Sequence, residues 1–121
     1  MAIHTQLPIH KTGSELLGLV ARIHAQMPRG YKRSVGDKII GHCSEMLDLM
    51  ALANATKNEQ RAKHIQDILK HNRAATVWLR VGFDLRAVST EPWSKSIQML
   101  DNVGKQASGW LNKTREKAPA A

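Results

Sequence analysis

From Asn58 to Ser89 the chain reads NEQRAKHIQDILKHNRAATVWLRVGFDLRAVS without a proline. As one helix it would run roughly 48 Å at ~1.5 Å per residue, which is long for a chain of 121 residues. Ahead of it stands Thr56-x-x-Glu59, the spacing of a capping box, in which each side chain can satisfy an orphan amide of the first turn. At ~100° per residue, Ile65, Ile68, Leu69, Asn72, Ala75, Thr76 and Leu79 share one side as an amphipathic stripe. From Val77 onward the apolar residues go nearly all the way round, and a helix apolar on most sides is buried on most sides. Trp78, Val81, Phe83, Leu85 and Val88 are therefore expected to meet a second copy of the chain. The plainer alternative is a central helix surrounded by three partners of its own chain.

The same helix carries Lys63, Lys70, Arg73 and Arg80 within a stripe about 100° wide, with Gln66 and Asp84 alongside. Taken alone, such a stripe is a solvated face. The whole-chain balance gives it weight: 18 Lys and Arg against 10 Asp and Glu, a formal net charge of +8 and a pI of about 10.1. A charge so far from zero bears on partners rather than fold, and favours nucleic acid, an acidic protein surface or an anionic membrane. No stretch approaches the ~20 apolar residues needed to span a bilayer. The opening MAIHTQLPIHKTG lacks the charged-then-apolar order of a signal peptide. Cys43 has no second cysteine to pair with, which fits a reducing cytoplasm, and a cytoplasmic location is expected.

Taken in order, residues 1–11 show no periodicity and read as a loose arm. Thr12-x-x-Glu15 offers another capping box, followed by Leu16, Leu17, Val20, Ile23, His24 and Met27 at helical spacing. Pro28 should end that helix, because proline disfavours helical geometry in the residue before it. In the segment Arg29-Gly30-Tyr31-Lys32-Arg33, three cations flank one aromatic ring. Ser34 can cap the next helix, with Asp37 placed to favour the positive end of its dipole. Val35, Ile39, Ile40, Cys43, Met46, Leu47, Met50 and Ala53 form its stripe. Pro92 suits the first turn of a last helix, whose stripe runs from Ile97 to Leu111, with Trp110 expected to be buried. No strand-like alternation or internal repeat occurs. The reading is one all-α domain: helices over about 13–27, 34–55, 58–89 and 92–114, and a basic tail at 115–121. Short links make neighbours antiparallel in an up-down-up-down four-helix bundle.

Catalysis finds little support. No pair of carboxylates sits in an apolar setting, and no glycine-rich phosphate loop or nucleophile elbow occurs. Cys43 lies on an apolar stripe and reads as a small buried hydrophobe. His64 and His71 face the same way, but seven residues separate them by ~10 Å along the axis, too far for one ion. With no HExxH or Cys-His cluster, neither a metal nor another cofactor is expected. Phosphate binding asks only for cations loosely spaced on a shared face. The helical stripe, the segment with Arg29, Lys32 and Arg33, and Lys113, Arg115 and Lys117 all qualify. One Tyr and one Phe argue against an aromatic platform for single strands, so shape and charge recognition is expected. Gly82, crowded by bulky residues, reads as a point of close helix contact.

Toward the end of the chain, Gln98-Met99-Leu100-Asp101-Asn102-Val103 leads into Gly104-Lys105-Gln106-Ala107-Ser108-Gly109-Trp110-Leu111. This resembles the closing motif of the accessory variability determinant (Avd) family of diversity-generating retroelements. The Met27-Pro28-Arg29 break and the Trp78-Leu79-Arg80 centre also match, so the resemblance covers residues 14–113. It implies a non-enzymatic four-helix bundle that forms barrel-shaped homopentamers. Its implied partners are the retroelement reverse transcriptase and nucleic acid, RNA or DNA, during mutagenic copying of template RNA into cDNA. Arg80 falls on the family's basic position in the third helix, and Arg29 on the one after the proline. Thr76 stands where a relative can carry another cation, and Arg73 could compensate from the same side. A looser resemblance is to the four-helix proteins encoded in ribosomal RNA intervening sequences. A helical adaptor for an acidic protein is the remaining alternative.

Overall fold

Residues 3–117 are described by the computed structural model. Four long helices carry the fold: α1 (Pro8–Gln26), α2 (Asp37–Ala55), α3 (Asn58–Asp84) and α4 (Thr90–Lys117), and no strand occurs among the described residues. A 3-10 turn at His4–Gln6 precedes α1, and two short turns, Arg29–Tyr31 and the π-helical Lys32–Gly36, lead into α2. α3 packs against α2 and α4, and α1 packs against the same two helices. The core lies between all four: Leu16 and Val20 of α1, Ile39, Met46 and Met50 of α2, Ile65, Ile68 and Leu79 of α3, and Leu100 and Val103 of α4 are each at most 1% exposed. Asn72, on the inner side of α3, donates from Nδ2 to the Leu100 carbonyl at 2.8 Å, so a polar residue in the stripe ties α3 to α4.

The helices begin and end by other means than the expected capping boxes. α1 starts at Pro8 rather than near residue 13. Proline suits a first turn, where its missing N–H would have no partner in any case. Ile9, 5% exposed, anchors this added turn in the core, so the expected arm is partly helix. Thr12 is therefore interior, and its hydroxyl donates back to the Pro8 carbonyl at 3.1 Å. The break before Pro28 falls where the sequence places it, with Met27 extended at ψ 147°. Ser34 does not cap α2 either. Its hydroxyl points back to the Gly30 carbonyl at 3.5 Å, inside a turn that is already helical. Asp37 instead accepts from His24 Nε2 at 2.9 Å, joining the start of α2 to the end of α1.

Between α2 and α3, Thr56 looks backward too. Its hydroxyl donates to the Leu52 and Ala53 carbonyls at 2.9 and 3.3 Å, so it closes α2, and no side chain caps α3. Arg61 completes this closure by donating from Nε to Ala53 at 2.8 Å and from Nη2 to Asn54 at 3.2 Å. A guanidinium at a helix C-terminus satisfies orphan carbonyls and meets the negative end of the dipole.

α3 stops at Asp84, five residues before the expected end. Arg86 takes a left-handed φ of 60°, its amide donates to the Phe83 carbonyl at 3.0 Å, and the Ala87 amide donates to Gly82 at 2.8 Å. This is the Schellman arrangement, with arginine where glycine is usual. The chain then folds back so that Val88, 3% exposed, lies over Gly82. The close contact expected at Gly82 exists, but its neighbour is the helix's own return. α4 runs on to Lys117, so Arg115 and Lys117 are helical rather than tail residues; the rest of the expected tail, 118–121, lies outside the described residues.

Three glycines give a test of this packing. A Cβ on Gly36 would sit 2.5 Å from His24 Cδ2 and 3.0 Å from Met27 Sδ, and one on Gly82 would sit 2.9 Å from Val88 Cγ2. Nothing lies within 4 Å at Gly41, an exposed position within α2. Overpacking typically costs about 1–3 kcal/mol, while Gly to Ala in an open helix position gains about 0.5–1 kcal/mol. Urea denaturation should therefore show Gly36→Ala and Gly82→Ala less stable than the wild type and Gly41→Ala more stable. All three shifting together would contradict these contacts.

Candidate nucleic-acid interface

Burial of one side of α3 dictates what its other side presents. Ala62, Ile65, Ile68, Ala75, Leu79 and Gly82 turn inward. The exposed positions from Lys63 to Arg80 are Lys63, Gln66, Lys70, Arg73, Val77 and Arg80, with no acid among them. Asp84 follows one turn on and accepts from Arg80 Nε at 3.1 Å, with both side chains about 60% exposed. A pair so exposed holds little energy and leaves the guanidinium open to a stronger anion. Aromatic rings also steady Arg80: its Cζ lies 5.9 Å from the Phe83 ring and 5.8 Å from the Trp93 ring. Those two rings stack across α3 and α4 with centroids 4.1 Å apart. Cation–π attraction fixes the direction of the arginine without neutralising it. Thr76 is half-buried and bonded to the Asn72 carbonyl, so it stands off this row.

The other expected cations fall at the two ends. Arg29 and Arg33 are exposed and Lys32 is half-buried, all on helical turns rather than a loop. Their segment meets α3 through Val35, whose Cγ1 lies 3.5 Å from a Cβ placed on Gly82. They therefore sit near the Arg80 end of the row. At the other end, Lys63 and Gln66 border a groove of about 290 Å³ together with Arg115, Thr114, Asn58, Ala62 and Glu59.

The residues expected to meet a second copy are placed unequally. Val88 is covered by its own chain, and Phe83 is stacked on Trp93. Trp78 and Val81 are half-buried at the edge of the core, with Lys38 Nζ 6.0 Å above the Trp78 ring. Leu85 is 44% exposed, and Val77 beside this group is 59% exposed. Much of the wrap-around character thus belongs to the chain's own return after Asp84. Trp110 also departs from expectation: it is half-buried, with Arg61 Cζ 5.8 Å from its ring.

His71 does not work with His64. Its Nδ1 lies 2.9 Å from Nδ1 of His42 on α2, a pairing across two helices that spacing along one helix cannot reveal. One ring must donate and the other accept, so at least one of the two is neutral. Burial, then His71, then Lys38, push the His42 pKa below its ordinary value. Burial and His4 push His10 the same way. No group of three potential metal ligands occurs among the described residues. Cys43 is 1% exposed, and burial pushes its thiol up to about 12, which leaves almost no reactive thiolate at neutral pH.

Among the described residues no helix is long and apolar enough to cross a membrane. Set against known proteins, the sequence matches no family model and no curated protein.

The histidines carry a pH dependence of defined sign. Well above about 6.5 His42 is neutral both folded and unfolded, and contributes no slope. Below that value the unfolded chain takes up a proton that the folded chain resists, so stability falls as the pH drops toward the lowered folded pKa. Thermal midpoints should be level above about pH 7 and decline toward pH 5, with a shallower decline in His42→Gln. An equal decline in that variant would show that His42 contributes nothing.

Proposed function

We propose that the chain is a non-enzymatic accessory protein of the Avd kind, an up-down-up-down bundle that assembles with copies of itself and binds nucleic acid. In this reading it holds template RNA or cDNA for a retroelement reverse transcriptase. The observation that carries it is the exposed row from Lys63 to Arg80, whose charged members are all cations, with the half-buried Asp67 beside it one turn from Lys63 and Lys70. Together with a formal charge of +8, such a row attracts a polyanion and can neutralise phosphates along one line. Nothing in it resembles a base-reading element, so contacts to phosphate would position the nucleic acid without reading its sequence. Lys63, Lys70, Arg73, Arg80, Arg29, Lys32 and Arg33 are the residues assigned to this surface, shared with an acidic face of the enzyme. The resemblance to the Avd family supplies the partner and a subunit number of five. The exposed Val77 and Leu85, with Val81 between them, supply an apolar strip for the contact between copies.

Binding to an RNA or DNA duplex across a salt series tests this reading. If about five phosphates are neutralised, log K should fall with log[salt] at a slope near −4.5 for DNA duplex. Arg73→Ala with Arg80→Ala should flatten the slope by about one unit per lost contact and weaken all sequences alike. The same variant should keep its oligomeric mass and impair cDNA synthesis by the partner enzyme. An unchanged slope and undiminished synthesis would leave the row a solvated face. Assembly is tested by light scattering at micromolar concentration, where the wild type should exceed the monomer mass and Leu85→Glu should reduce it. A monomeric wild type would remove the oligomer from the account.

A further inference from the structure

At the end of the bundle where α2 passes into α3, two grooves meet on one aromatic ring. Trp110 lines both. The first, about 290 Å³, is walled by Leu7, Pro8 and Ile9 from the start of α1 and by Gln106, Gly109 and Lys113 of α4. The second, about 310 Å³, is walled by Lys57, Asn58 and Arg61 of the α2–α3 junction and by Lys113, Thr114 and Lys117 of α4. Four cations therefore border the second groove and no acid does, while the first is mostly apolar and shares Trp110 and Lys113 with it. Arg61 is held in place by its bonds to the Ala53 and Asn54 carbonyls, and its guanidinium lies 5.8 Å from the Trp110 ring.

We propose that this end of the bundle is a binding site for single-stranded nucleic acid, with a base stacked on Trp110 and flanking phosphates held by Lys57, Lys113 and Lys117. The ring is partly buried where full burial was expected, and the cations beside it gather in the second groove, with Lys113 shared by the first. A partly buried tryptophan at the meeting of an apolar groove and a cationic one matches a ligand with flat apolar faces and regularly placed negative charges. A duplex keeps all but its terminal base faces stacked internally, so along its length only a single strand offers one to the ring. An acidic peptide would use the cations and gain nothing from the ring, whose face is electron-rich and disfavours carboxylates. The scarcity of Tyr and Phe in the sequence argued against a stacking platform; the proposed platform is a tryptophan that shares a groove with the start of α1. The site is separate from the α3 row and rests on the nucleic-acid reading proposed above, which it narrows to the unpaired form.

The test uses the full chain, an oligouridylate of about 12 nucleotides and an RNA duplex of the same length. Trp110→Ala should weaken the single strand by roughly five- to a hundredfold and leave the duplex within about twofold. Lys113→Gln with Lys117→Gln should flatten the single-strand salt slope by about 0.7 per lost contact. A folded Trp110→Ala that binds oligouridylate like the wild type overturns the proposal. Should that variant fail to fold, Trp110→Phe decides by fluorescence: the quenching that oligouridylate causes in the wild type should be lost. Quenching undiminished in Trp110→Phe overturns the proposal, as does oligoglutamate binding with the same dependence on Trp110. Arg73→Ala with Arg80→Ala should leave single-strand stacking in place while weakening the duplex, so failure of either site shows separately.

Discussion

The inward row of α3 orients the rest of the molecule. Ile65, Ile68, Ala75 and Leu79 are wholly buried, and full burial of an Ile or Leu side chain contributes about 1.5–3 kcal/mol each. Rolling α3 by a quarter turn would surrender several such contributions and drive Lys70 and Arg73 toward the core. Packing of α2 and α4 against its two flanks leaves one side of α3 uncovered. The cations stand out from the bundle because the isoleucines and leucine must stand in, and the basic row needs no charge partner of its own to hold its direction. Arg80 has a second restraint in the Phe83–Trp93 stack, which couples its position to α4.

Periodicity made the helices and this row legible in the sequence, since both depend on positions within one helix. The ends were less legible. A capping box needs a threonine whose hydroxyl faces forward, yet Thr12 and Thr56 both donate backward to carbonyls, and spacing does not distinguish the two. Pro8 had the better claim to the start of α1, and the burial of Ile9 settled it. The end of α3 was hidden because Arg86 fills a left-handed position that usually signals itself by a glycine. Reading five more residues as helix made Val88 appear to face outward, when the return of the chain tucks it over Gly82.

Features that depend on two helices escaped altogether. The His42–His71 contact, the clasp of Arg61 on the end of α2, and the meeting of two grooves at Trp110 each require knowing which helices are neighbours. They also change how the surface divides. The cationic row lies along α3, and the proposed aromatic site lies at its N-terminal end, next to the groove that Lys63 shares with Arg115. The lining of that connecting groove includes one acid, Glu59.

The account rests on the outward row of α3 being the place where phosphates lie. Amine reactivity, mapped lysine by lysine by mass spectrometry with and without saturating duplex, reads this directly. Lys63 and Lys70 should become shielded in the complex. Lys95, which borders Glu15 and Arg22 on the α1 side, should react as before. Shielding of Lys95 with Lys63 and Lys70 still reactive would place the nucleic acid on the wrong side of the bundle and contradict the account.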